Sequence, residues 1–134
     1  MTTRALAGAL LLAASGLVHA CGEALPAART TVENADYTVV FATTPHPVPV
    51  GAHFVVDFAV CARENAPPPQ SVRVDAPMPE HRHGMNYRPT LATVAPGVYR
   101  AEGLLFHMPG RWEFAFDVVA GGGTQRLTSS VVVR

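Results

Sequence analysis

"RWEFAFDVV", residues 111–119, sets Trp112, Phe114, Phe116 and Val118 on one side and Arg111, Glu113, Ala115 and Asp117 on the other. Period two over nine residues is the pattern of a β-strand with one buried face, since a helix would repeat its apolar positions every three to four residues. Working outward, the pattern recurs. "VYRAEGLLF" (98–106) precedes it, and "QRLTSSVVV" (125–133) follows across the Gly-Gly-Gly turn at 121–123. Further upstream come "TLATV" (90–94), "SVRVDA" (71–76) and "DYTVVFAT" (36–43). In "HFVVDFAVCA" (53–62), Phe54, Val56, Phe58 and Val60 share one face, with His53, Asp57 and Cys61 on the other. "RENAPPPQ" (63–70) must be a loop, because three consecutive prolines donate nothing to a ladder. No amphipathic helical window follows residue 20. Sheets with one wet face pack in pairs, so the expectation is an all-β fold, an immunoglobulin-like β-sandwich of about seven antiparallel strands over residues 36–134. A small barrel is disfavoured because no glycine pattern suits tight closure. "PGVY" (96–99) leaves two readings of Tyr99 open, a tyrosine corner or ordinary core.

The beginning of the chain has a different character. "MTTRALAGALLLAASGLVHA" (1–20) carries one cation, Arg4, then an apolar run from Ala5 to Val18 and small residues before Cys21. Those are the parts of a secretory signal peptide. The apolar run of 14 residues is short of the about 20 that a spanning helix needs. Residues 21–35 then read as a leader before the sandwich. Export to the periplasm or extracellular side follows, with no transmembrane helix once the signal is removed. Val18-His19-Ala20-Cys21 also loosely matches a lipobox, with a lipid anchor on Cys21 as the minor alternative to ordinary cleavage.

Beyond residue 20 there are nine Arg against ten Asp plus Glu, and no Lys anywhere in the chain. Without a basic stripe, nucleic acid and anionic membranes are poor partners. Two cysteines, Cys21 and Cys61, in an exported chain favour a disulfide. Lipidation of Cys21 would exclude that bond.

The chemistry concentrates in "PMPEHRHGMNYRP" (77–89). Met78, Met85 and Met108 are the methionines remaining after residue 20, and His81, His83 and His107 lie among them. Thioether sulfur is soft and suits Cu(I), while imidazole accepts Cu(I) and Cu(II), so this set points to copper, Cu(I) before Cu(II), rather than zinc. In an extended segment His81 and His83 would share a face about 6.6 Å apart. Gly84 could then turn Met85 back toward them, with Pro77 and Pro79 stiffening the approach. His107 and Met108 are neighbours, so both can face one ion only where the strand ends or bulges. The two groups meet only if both turns lie at one end of the sandwich. Ligand imidazoles must be neutral, so affinity should fall where free imidazole protonates. The plain alternative is a polar surface loop serving as a non-metal protein-interaction module. A metal-dependent enzyme with Glu80 as base is a weaker alternative, since no nucleophile signature is present. His46 and His53 are isolated and read as surface.

"MPEHRHGMNYRP" followed by "PGVYRAEGLLFHMPGRWEFAFDV" resembles the YtkA-like domain family, related to FixH-like periplasmic domains. The matching positions are Met78, Pro79, His81, His83, Gly84 and Met85, then Met108, Pro109, Gly110 and Trp112, and the likeness covers roughly 36–134. The resemblance implies a small exported or membrane-tethered sandwich linked with copper handling or oxidase maturation. It implies a ligand role at Met78, His81, His83, Met85, His107 and Met108. The residues and the resemblance together lead to the expectation of a periplasmic Cu(I) carrier or chaperone, with another periplasmic or membrane copper protein as its partner.

Overall fold

A computed structural model describes residues 19–134; most of the expected signal peptide therefore lies outside the described residues. Eight strands form two antiparallel sheets: β1 (Arg29–Glu33), β2 (Tyr37–Thr44), β3 (His53–Ala62), β4 (Ser71–Asp75), β5 (Thr90–Ala95), β6 (Val98–Leu105), β7 (Gly110–Ala120) and β8 (Gly123–Val133). Five are ordered β1-β2-β3-β6-β5 and three are ordered β4-β7-β8. The expected all-β sandwich is what the chain forms.

The strands arise from the alternation described above. Trp112, Phe114, Phe116 and Val118 are all at most 2% exposed, and they meet Phe54, Val56 and Phe58 from the facing sheet. Phe41 packs against Phe114 and Phe116 with ring centroids 5.2 and 5.1 Å apart. Phe106 stacks on Trp112 at 4.5 Å. Offset and tilted ring pairs at such distances add to the stabilisation from burial alone.

The eighth strand is β1, inside the stretch read as leader. Four of its five residues are exposed, so it presents no apolar period, yet it pairs with β2 from Arg29↔Ala42 to Glu33↔Thr38. Ahead of it, residues 21–25 cover the outer face of the five-stranded sheet. Leu25 packs there with Val40 and Ala59. Cys21 is bonded to Cys61, and a sulfur in that bond has no valence left for a lipid thioether, so the lipobox reading of Cys21 is displaced. Tyr99 stacks on Phe58 and is a packing residue. The tyrosine that ties a loop to the sandwich is Tyr37, whose buried ring sends its hydroxyl to the Pro67 carbonyl at 2.7 Å.

One irregularity positions the site. Phe54 pairs with Leu104 but Val56 with Ala101, so β6 carries one extra residue there, with Gly103 at φ +85°. A bulge of this kind shifts the side-chain phase. Ala101 is buried before it, and Leu104 and Phe106 are buried after it. β6 then ends at Leu105, and His107 and Met108 lie in the turn beyond.

Candidate metal centre

Residues 77–83 form a tight loop rather than an extended segment. The Met78 N–H donates to the His83 carbonyl at 2.7 Å, closing a short antiparallel bridge. Inside it, Pro79–His81 make one 3₁₀ turn, and Arg82 at φ 54° reverses the chain. The reversal thus falls at Arg82 and not at Gly84, whose φ is not positive and beside which a Cβ would meet open space. Two contacts pin the loop to β7. The Glu113 N–H donates to the Pro77 carbonyl at 2.9 Å, and Arg111 donates both Nε and Nη2 to Glu80 Oε1, at 3.1 and 2.8 Å.

This anchoring brings the two distant groups to one end of the sandwich. The His81 and His83 rings are 5.6 Å apart between centroids, and the His83 and His107 rings 5.2 Å. Trp112 flanks both His83 and His107, edge-on to the first at 5.8 Å and to the second at 5.3 Å, and its indole N–H donates to the Met108 carbonyl at 3.1 Å. Trp112 was legible as core from its strand pattern. Its second role, as the wall joining the histidines, depends on a neighbour, Phe106, brought from another sheet.

The protonation geometry is informative. His83 Nδ1 lies 3.1 Å from the Gly84 carbonyl, which can only accept, so in the neutral ring the proton sits on Nδ1 and Nε2 carries the lone pair. Among the described residues, His107 Nδ1 is buried with no hydrogen-bond partner. An orphaned buried nitrogen costs free energy unless something satisfies it.

The methionines divide. Met78 is fully buried in the core, with its terminal methyl against Gly110. Met85 and Met108 are half-buried against the same core. Among the described residues, no group of three or more His, Cys, Asp or Glu is arranged to hold a metal ion, so any ion here would rely on imidazole pairs supplemented by thioether. Glu80 is exposed and held by Arg111. His46 and His53 are both exposed, His46 beside Thr43 and His53 against Tyr87.

Comparison with known proteins agrees with this architecture. The chain is similar to a solved structure, a DUF4426 family protein from Pseudomonas aeruginosa PAO1, with a TM-score of 0.53 and 12% identity over 78% of this chain and 93% of that one. At that identity the likeness concerns the fold alone. No curated protein matches. The YtkA-like family model matches residues 31–117, which span the anchored His loop, the 106–110 turn and most of β7. The chain therefore belongs to the YtkA-like family.

Proposed function

We propose that this YtkA-like domain is an exported, non-enzymatic copper carrier that holds Cu(I) as cargo at the His81/His83/His107 end of the sandwich and passes it to another periplasmic or membrane copper protein. The supporting observation is the convergence of His83 and His107 with one buried imidazole nitrogen left unsatisfied. His83 Nε2 and His107 Nδ1 are the nitrogen donors, His81 sits next to them, and Met85 and Met108 supply thioether sulfur. Cu(I) tolerates two or three soft and imidazole ligands, which suits a cluster without a carboxylate or thiolate. Met78 is assigned to packing behind the donors.

A competition titration of the protein with Cu(I) against a chromophoric chelator tests this. His83→Ala/His107→Ala should weaken binding by more than the ~10–100-fold that loss of a supporting partner costs. Equal affinity in the double variant would remove this site. Failure of the unaltered protein to bind Cu(I) would favour the second reading, a protein-interaction module in which the rings are packing. That reading draws on the absence of any three-residue His, Cys, Asp or Glu group among the described residues.

A further inference from the structure

The two sheets are unequal, and the inequality leaves a strand-sized slot. β4 is an edge strand whose only ladder partner is β7, so its other backbone edge has free donors and acceptors among the described residues. Facing it is β5, the edge of the five-stranded sheet, with all six residues exposed. Leu91 pairs with Ala101, and Ala101 sits beside Val56, both fully buried. Leu91 thus points to the core side of its sheet, yet it is 40% exposed because the three-stranded sheet stops short of it. A groove of about 480 Å³ runs here, between β4 and the Arg88–Pro89–Leu91 segment.

The charges around the groove select its occupant. Its lining contains Arg73, Arg88 and Arg126 against Asp75 and Asp117. Arg126 and Asp117 close on each other at 2.7 and 2.9 Å, and the Asp75 carboxylate accepts the Ala76 N–H at 2.8 Å. Arg73 stands directly across the ladder from Asp117, and its charge helps to hold that carboxyl down, while Arg88 makes no ion pair among the described residues; the three guanidinium groups of the lining still outnumber its two carboxylates. A free strand edge, an uncovered core-facing leucine and an excess of guanidinium over carboxylate in the lining together call for an extended segment with apolar and acidic side chains in alternation.

We infer that the β4 edge is a docking site for an acidic, extended segment of a partner protein, which adds as a fourth strand beside β4 and covers Leu91. Main-chain hydrogen bonds supply affinity, and the alternate side chains supply selectivity. The apolar residues of the incoming strand pack inward over Leu91 while its carboxylates reach Arg73 and Arg88, and such complementarity also speeds encounter. β4 runs into, and β5 out of, the loop that carries His81 and His83, so a docked strand lies beside the histidines. The site does not depend on metal.

The probe is a labelled, end-capped heptapeptide alternating glutamate and valine, followed by fluorescence polarisation with the metal-free protein. Saturable binding is expected, at least ten-fold weaker for Arg73→Glu/Arg88→Glu, and lost when alternate peptide nitrogens of the probe are methylated. A Leu91→Ser variant, folded by circular dichroism, should also weaken it several-fold. No binding, equal binding by the N-methylated peptide, or equal binding by a lysine–valine peptide would overturn the inference. So would a concentration-dependent dimer, abolished by Arg73→Glu, that fills the edge with a second copy.

Discussion

Gly110 carries the close approach between β7 and the His loop. Its backbone sits at φ +137°, and a Cβ there would overlap the terminal methyl of Met78. Met78 is fully buried, so its side chain has little room to retreat. Gly110→Ala should therefore cost about 2–3 kcal/mol, combining backbone strain with overpacking. Met78→Ala alone should cost about 2–4 kcal/mol through the cavity it leaves. The two changes occupy and vacate the same space, so the double variant should lose clearly less than the sum. Urea denaturation of all four proteins reads this cycle, and strict additivity would show that the overlap is relieved elsewhere. The burial of Met78 was not legible in "PMPEH" because it follows from a bridge to His83 and a contact with Gly110, not from local period. Flanking prolines signal a turn, but they do not say which side of the turn faces inward.

On the scale of elements, β7 and β8 show how charge reinforces a register that the apolar face already sets. Asp117 and Arg126 are directly paired across the ladder, on the outward side of two strands whose inward residues are Phe116 and Leu127. The Arg126 guanidinium, through its hydrogen bonds and then its charge, holds the Asp117 carboxyl below the usual carboxylate range, against a desolvation that pushes the other way. A carboxyl with a depressed folded pKa binds fewer protons folded than unfolded. Its stabilising share is thus complete above the unfolded value of about 3.9 and drains away as pH falls through the folded value. Asp117→Asn should lower stability at neutral pH by about 0.5–1 kcal/mol, because Arg126 is largely exposed, and should flatten the acid limb below about pH 4. Thermal melts at pH 7 and pH 3 would show it, and an unchanged acid limb would assign the loss to other carboxyls. The same hairpin was the most legible part of the chain, since Trp112 to Val118 alternate without interruption. β1 was not, because "RTTVE" has no buried face from which to read a period. The bulge at Glu102–Gly103 was equally hidden: it changes phase inside a run of apolar residues that looks continuous as "GLLF". His107 and Met108 could be seen as candidates, but their place next to His83 rests on that phase change and on the loop's ties to Arg111 and Glu113.

Across the whole molecule, stability and the candidate site sit at opposite ends of one strand. β3 begins at His53, opposite Leu105 and next to the 106–110 turn, and it reaches the disulfide at Cys61. The eight residue steps from His53 to Cys61 correspond to about 26 Å of extended chain. The bond joins Cys21 to Cys61 across a separation of 40 residues, and constraining the unfolded chain by that amount contributes about 4 kcal/mol. It also holds residues 21–25 over Val40 and Ala59, where Leu25 would otherwise fray from an outer sheet face. The loop that carries His81 and His83 is fixed independently, by Arg111, Glu113 and the Met78–His83 bridge, none of which touches this segment. Cys21→Ser/Cys61→Ser should accordingly lower unfolding stability by about 4 kcal/mol in urea. Cu(I) affinity, measured where the variant is still folded, should remain within about two-fold. A parallel loss of affinity would mean that the far end of β3 governs the packing of His83 against His107 and Trp112. Retained affinity would establish that the sandwich separates the part that keeps it folded from the part proposed to bind Cu(I).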